Sequence, residues 1–141
     1  MAIRFFSDGI DFKLPKPNTI KKWITNAITL EGKKLGDLTY IFCSDEYLYN
    51  INKKYLNHNT YTDIITFDLG EPEGPILGEI YISKERVEGN AKTLKIPFDE
   101  ELHRVIIHGV LHLCGHKDKT TAQKKEMRKR EATYLSLRNN S

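Results

Sequence analysis

The segment DEELHRVIIHGVLHLCGHKD, residues 99–118, constrains this chain more than any other. Leu102, Val105, Ile106, Val110 and Leu113 recur at helical spacing, so residues 99–113 read as a helix with one apolar stripe. Pro97 opens the turn before it, and Gly115 stands where a glycine commonly ends a helix. His108 and His112 are one turn apart on a face away from that stripe, near enough to share one ion.

The rest of the chain alternates strand-like and helix-like stretches. Ile3, Phe5 and Phe6 predict a short first strand. Asn18 can cap a helix whose stripe is Ile20, Trp23, Ile24, Ala27 and Ile28, with Gly32 as its stop. Residues 38–42 read as a strand, and Ser44 caps a helix with Asp45 and Glu46 in its first turn, where carboxylates oppose the helix dipole favourably. The β-branched and aromatic residues 62–67 form a third strand, and two glycines and two prolines make residues 68–75 a loop. Residues 77–82 are a fourth strand, in a possible hairpin with the third. Ser83 caps a helix running to about residue 94. Thr120 and Gln123 form a capping box for a last, highly charged helix reaching about residue 137. The expected fold is α+β: a small mixed sheet of about four strands packed with about five helices, as a single domain over residues 1–141.

The composition, 39% hydrophobic and 29% charged, is that of a globular domain rather than a disordered chain. No apolar run is long enough for a membrane span and no export signal opens the chain, so a cytoplasmic protein with reduced Cys43 and Cys114 is expected. The net charge of +3 is unevenly spread. Lys117, Lys119, Lys124, Lys125, Arg128, Lys129 and Arg130 crowd one stretch against only Asp118 and Glu126. Such a run is either a solvated helix face or a surface for phosphate backbones, and its place beside the histidine pair weighs towards the second.

Zinc takes neutral imidazoles in a tetrahedral site that keeps one position open when catalytic. Gly115 lets the chain leave the helix and return. Asp118, ten residues after His108, holds the position of the third ligand in metzincin proteases. His116 is the alternative third ligand, chemically apt but two residues early. A zinc protease also needs a glutamate after the first histidine, and Gly109 stands there, which disfavours proteolysis. His103, five residues before His108, reads as a surface position or a support for the ligands, and Cys114 as a buried thiol.

HGVLHLCGHKD resembles the signature of the YbeY endoribonuclease family, bacterial ribosomal RNA maturation factors. NKKYLNHNTYTDIITFD (residues 52–68) is similar to that family's central segment, and LGEIYIS (residues 77–83) to its following strand. The resemblance implies an α+β fold with a metal site in a cleft. It implies a single-strand-specific, metal-dependent endoribonuclease acting on the ends of ribosomal RNA, notably small-subunit RNA, and in ribosome quality control. His108 and His112 become the first two ligands of one Zn2+, and Asp118 stands where the family has a third histidine. Leu56 replaces the family's arginine, with His58 the nearest basic residue; Thr62 and Asp63 are retained, and Tyr61 replaces a proline. Single-stranded RNA, ribosomal RNA or the ribosome are the implied partners. Lys117, Lys119, Lys124, Lys125 and Arg128 would guide its backbone, and Tyr61 either stacks on an unpaired base or is an exposed loop tyrosine. The general base stays open. The competing readings are a ribosome-associated RNA-binding protein with a structural metal and little catalysis, and a zinc hydrolase on another substrate.

Overall fold

The computed structural model describes residues 2–138. Four strands, β1 (Ala2–Ser7), β2 (Leu35–Cys43), β3 (Ile64–Asp68) and β4 (Ile76–Ser83), form one mixed sheet in the order β1-β2-β4-β3. β1, β2 and β4 run parallel, and β3 closes one edge as the antiparallel arm of a hairpin with β4. Five helices join them: α1 (Pro17–Leu30), α2 (Asp45–Leu56), α3 (Lys84–Leu94), α4 (Phe98–Leu113) and α5 (Thr121–Ser136). The expected α+β class, strand number and helix number are all realised.

The two faces of the sheet have different fates. Leu38, Tyr40, Phe42, Ile80 and Ile82 point to the face covered by α1 and α4, and with Trp23, Ile24, Ile106 and Val110 they make the main core. Their alternation along β2 and β4 is the period of two that a strand imposes. The other face is covered by α2, where Leu48 packs on Cys43 and Ile65. Buried polar tips are satisfied: the Tyr40 hydroxyl donates to the Ile106 carbonyl at 3.0 Å, and the Trp23 indole N–H to the Tyr134 carbonyl at 2.7 Å.

Three expectations shift. β2 begins at Leu35, three residues before the expected 38, where Leu35 pairs with Ile76 of β4. α1 begins at Pro17 rather than after an Asn18 cap; Lys16 is the cap residue, in a left-handed conformation and with no side-chain cap bond. Proline at the first helical position is already set at helical φ and gives up an N–H that has no partner there, so the helix starts earlier. β3 begins at Ile64, two residues later than its apolar pattern predicts. Thr62 and Asp63 precede the regular strand, although the Asp63 carbonyl still accepts from the Ser83 N–H of β4; Thr62 Oγ1 donates to the Ile64 carbonyl, and the Asp63 carboxylate faces Arg104 and Asn90. The caps at Ser44 and Ser83 and the capping box at Thr120 and Gln123 form as expected.

Helix α4 approaches the sheet closely at one point. A Cβ on Gly109 would lie 2.8 Å from Ile80 Cδ1 and 3.1 Å from Ile64 Cδ1. Glycine there lets the helix settle against β3 and β4. Gly109→Ala should therefore destabilise the fold by about 1–3 kcal/mol, the usual cost of overpacking a filled core. Chemical denaturation of the two proteins measures it.

Candidate metal centre

The end of α4 builds the site. Gly115, at φ +104°, reverses the chain: its N–H donates to the His112 carbonyl and the His116 N–H to the Leu111 carbonyl, at 3.0 Å each. This is the paired-bond helix terminus that a left-handed residue allows. The returning chain carries Asp118 back over the histidine face. Asp118 Oδ2 lies 3.3 Å from His108 Nε2 and 3.4 Å from His112 Nε2, and the two Nε2 atoms are 3.0 Å apart. These three residues are the group able to hold an ion among the described residues. Donors about 3.3 Å apart are what an ion with tetrahedral bonds of about 2.0–2.1 Å requires.

Electrostatics prepares the same atoms. Burial, with His108 beside it, pushes His112 below the ordinary histidine value, so its imidazole is neutral and can offer a lone pair. His108 Nδ1 is 2.6 Å from Glu131 Oε2, a carboxylate only 2% exposed on α5. Burial alone would raise Glu131, but the His108 hydrogen bond and the Arg104 guanidinium outweigh it and hold Glu131 below its ordinary value. An ionised Glu131 keeps the His108 proton on Nδ1 and turns the Nε2 lone pair toward His112 and Asp118. Arg104 extends this chain of charges: it grips Glu101 with two bonds of 2.8 and 2.9 Å, meets Glu131 at 3.2 Å, and stands 3.8 Å from Asp63. The donor set, its spacing and the support behind His108 fit a divalent ion such as zinc.

The triad opens into a cleft of about 710 Å³. One wall is the edge strand β3 with Asp63 and Thr66; His58 and Leu56 from the end of α2 and the following loop face it, and Lys119 stands beside Asp118. The other candidates lie elsewhere. His116 Nε2 is 2.5 Å from Glu31 Oε1, on the far side of the turn, and Glu31 also takes the Tyr134 hydroxyl and Arg130. His116 is thus held away from the triad. Lys117, Lys124 and Lys125 are exposed. Arg128 bonds Glu131 at 3.3 Å and lines a smaller cavity with Asp63 and Arg104. Tyr61 is not among the residues of the cleft wall: its ring stacks on Tyr49 at 4.4 Å, its hydroxyl donates to Glu46, and the Arg86 guanidinium caps it. His103 is half-buried against Trp23 and Arg138, where burial lowers its pKa, and it lines a separate groove away from the triad.

Glu131, Arg104, Glu101 and Glu31 were not singled out by sequence reasoning. The signal for Glu131 was faint: Met127, Glu131 and Tyr134 are spaced four and three apart, one buried stripe on an otherwise charged helix. The run of lysines and arginines around it hid that stripe.

Glu31 yields a pH prediction. Burial would raise it, but Tyr134, His116 and Arg130 together hold its carboxyl below the ordinary 4.5. Unfolding returns it to that value. Its contribution to stability is therefore complete at neutral pH and is lost as pH falls through the lower, folded value. Glu31→Gln should lower the melting temperature at pH 7 and flatten its decline below about pH 5. Calorimetric melts across that range test it.

Comparison with known proteins places this geometry. The family model described as Endoribonuclease YbeY matches residues 9–139. A protein named Endoribonuclease YbeY in Amoebophilus asiaticus is 51% identical over 133 residues, covering 94% of this chain and 90% of its own. Its namesake in Christiangramia forsetii is 50% identical over 137 residues, with 96% and 93% covered. The solution structure of a Thermotoga maritima protein superposes with a TM-score of 0.69 at 26% identity, covering 97% of this chain and 89% of that one.

Proposed function

The chain belongs to the YbeY endoribonuclease family, and on that premise we propose that His108, His112 and Asp118 hold one catalytic zinc ion over which single-stranded RNA is cut. The chain is an endoribonuclease acting in ribosomal RNA processing. Its natural targets are, on this proposal, the ends of small-subunit ribosomal RNA in the cytoplasm, with the ribosome as partner and a share in ribosome quality control. Among the described residues no helix is long and apolar enough to cross a membrane.

The observation that carries the reading is the donor triangle at the wall of an open cleft. When bound, the ion supplies Lewis acidity toward a phosphoryl oxygen and toward water. The protein's own groups do the rest. Glu131 orients His108 through Nδ1. Lys119, at the cleft wall, faces the phosphate backbone, and Lys117, Lys124, Lys125 and Arg128 extend that positive surface. Tyr61 can offer a base only the ring surface that Tyr49 and Arg86 leave free. Gly109 leaves no room for the glutamate of a zinc protease, since even a Cβ there meets Ile80, which argues against peptide hydrolysis by that route.

Labelled single-stranded RNA should be cut by the zinc-loaded protein, spared after chelation, and cut again when zinc returns. His108→Ala, His112→Ala and Asp118→Ala should each lose stoichiometric zinc by elemental analysis, while His116→Ala, whose imidazole is committed to Glu31, should keep it. Full zinc in Asp118→Ala with loss in His116→Ala would reverse the choice of third ligand. Glu131→Gln should weaken zinc binding about 10- to 100-fold, as loss of a partner behind a metal-bound histidine commonly does.

The basic surface has its own test. Lys124→Glu with Lys125→Glu should weaken RNA binding and reduce the slope of log affinity against log salt by about 1.4, for two phosphate contacts on a single strand. Arg128 is left unchanged because it bonds Glu131. An unaltered slope would return α5 to a solvated face.

A further inference from the structure

The sheet face under α2 is only partly covered. Beside the Leu48 contact, a second groove of about 590 Å³ opens between α2 and strands β3 and β4. Its surfaces are aromatic. Phe67 and Tyr81 meet edge to face at 5.8 Å, and Tyr55 meets Phe67 in the same manner at 6.3 Å. Packing of α2 on the sheet accounts for Leu48, Ile65 and Cys43, which are buried. It does not account for Tyr55, which is 62% exposed at the rim.

The polar groups here are few and sit at defined places. Lys54 lies over the Tyr55 ring, 5.3 Å from its centre, where its ammonium can meet a phosphate while the ring keeps its other face. Glu79 stands directly across the β3–β4 ladder from Phe67 and lines the groove, as does Asn50. A carboxylate on the floor repels a phosphate but accepts from the exocyclic amino group of a cytosine or adenine. Ile51 and Leu69 complete the lining, and aromatic faces joined to such acceptors suit a flat, amino-bearing ring.

The groove lies across the edge strand β3 from the cleft, on the opposite face of the sheet. β3 gives Thr66 to the cleft wall and Phe67 to the groove; the last turn of α2 gives Leu56 to the cleft and Tyr55 to the groove. Because β3 is the edge strand, an RNA strand that rounds its open edge passes from the cleft on one face to the aromatic surfaces on the other.

We propose that this groove is a base-stacking subsite, holding an unpaired amino-bearing base of the RNA strand whose phosphodiester occupies the cleft. The assignment rests on the endoribonuclease reading above. A paired base cannot present its face to Tyr55 and Tyr81, so the groove also makes single-strandedness a condition for tight binding.

The test uses the zinc-loaded enzyme and synthetic single strands of about ten nucleotides, near the span of a typical single-strand site. Tyr55→Ala should raise KM about 5- to 100-fold, the effect of losing one stacked base, and leave kcat within about twofold. Tyr55→Phe should behave as the parent. An abasic strand of equal length should inhibit the parent and Tyr55→Ala equally, and Glu79→Gln should shrink the preference for cytosine and adenine over uracil. An unchanged KM in Tyr55→Ala, or an abasic strand whose inhibition weakens in Tyr55→Ala as much as KM rises for the intact strand, overturns the subsite while leaving the nuclease intact. Failure of the parent to cut any RNA overturns the underlying reading instead. Loss of self-association in Tyr55→Ala, measured by sedimentation, would make the groove a protein interface and also overturn the proposal. If Tyr55→Ala does not fold, photocrosslinking of thionucleoside-substituted RNA to the parent decides, by whether the label maps to Tyr55, Phe67 or Tyr81.

Discussion

The hydrogen bond between His108 Nδ1 and the buried Glu131 carboxylate ties the site to the rest of the molecule. It joins α4 to α5, fixes which nitrogen of His108 is free, and places a negative charge where no water reaches it. A buried carboxylate is costly unless its lone pairs are filled. Arg104 and Arg128 fill the remainder of Glu131, and Arg104 in turn needs Glu101. The tautomer of His108 thus depends on a network spanning about two turns of α4 and the middle of α5.

That network is held by apolar packing. Gly109 brings α4 down onto Ile80 and Ile64, and Tyr40 donates to the helix backbone at Ile106. α4 is therefore anchored just before the histidine pair and again between its two members, and the imidazoles project from a rigid element. Gly115 then reverses the chain so that Asp118 arrives over His108 and His112, while Glu31, just past the end of α1, draws His116 the other way. Two turns at helix ends sort the two adjacent candidate ligands.

The hairpin of β3 and β4 gives the site its substrate geometry. Placing β3 at the open edge leaves one side of that strand for the cleft and the alternate residues for the opposite face of the sheet. Polar residues at the strand's entrance, Thr62 and Asp63, connect the cleft to Arg104. The same edge borders the cleft of the His108–His112–Asp118 triad on one side and an aromatic surface on the other.

Much of this was legible along the chain. Helical spacing, capping residues and strand alternation are local, and they determined five helices, four strands and the α+β class. The pair His108 and His112 was readable because both lie on one turn of one helix. Spacing favoured Asp118 over His116 as the third member of the triad, but the contact that draws His116 away was not legible, because it is made by Glu31, more than eighty residues earlier. Glu131 was equally hidden: its carboxylate is aimed at His108 only because α5 packs across α4. Sequence patterns report what residues a few positions apart share, whereas a buried charge acquires its partners only when distant elements meet. The types of the candidate donors and their spacing were therefore determined by the sequence alone, and the proton on His108, the company of His116 and the open aromatic groove were decided by tertiary structure, which sets the distances on which hydrogen bonding and desolvation depend.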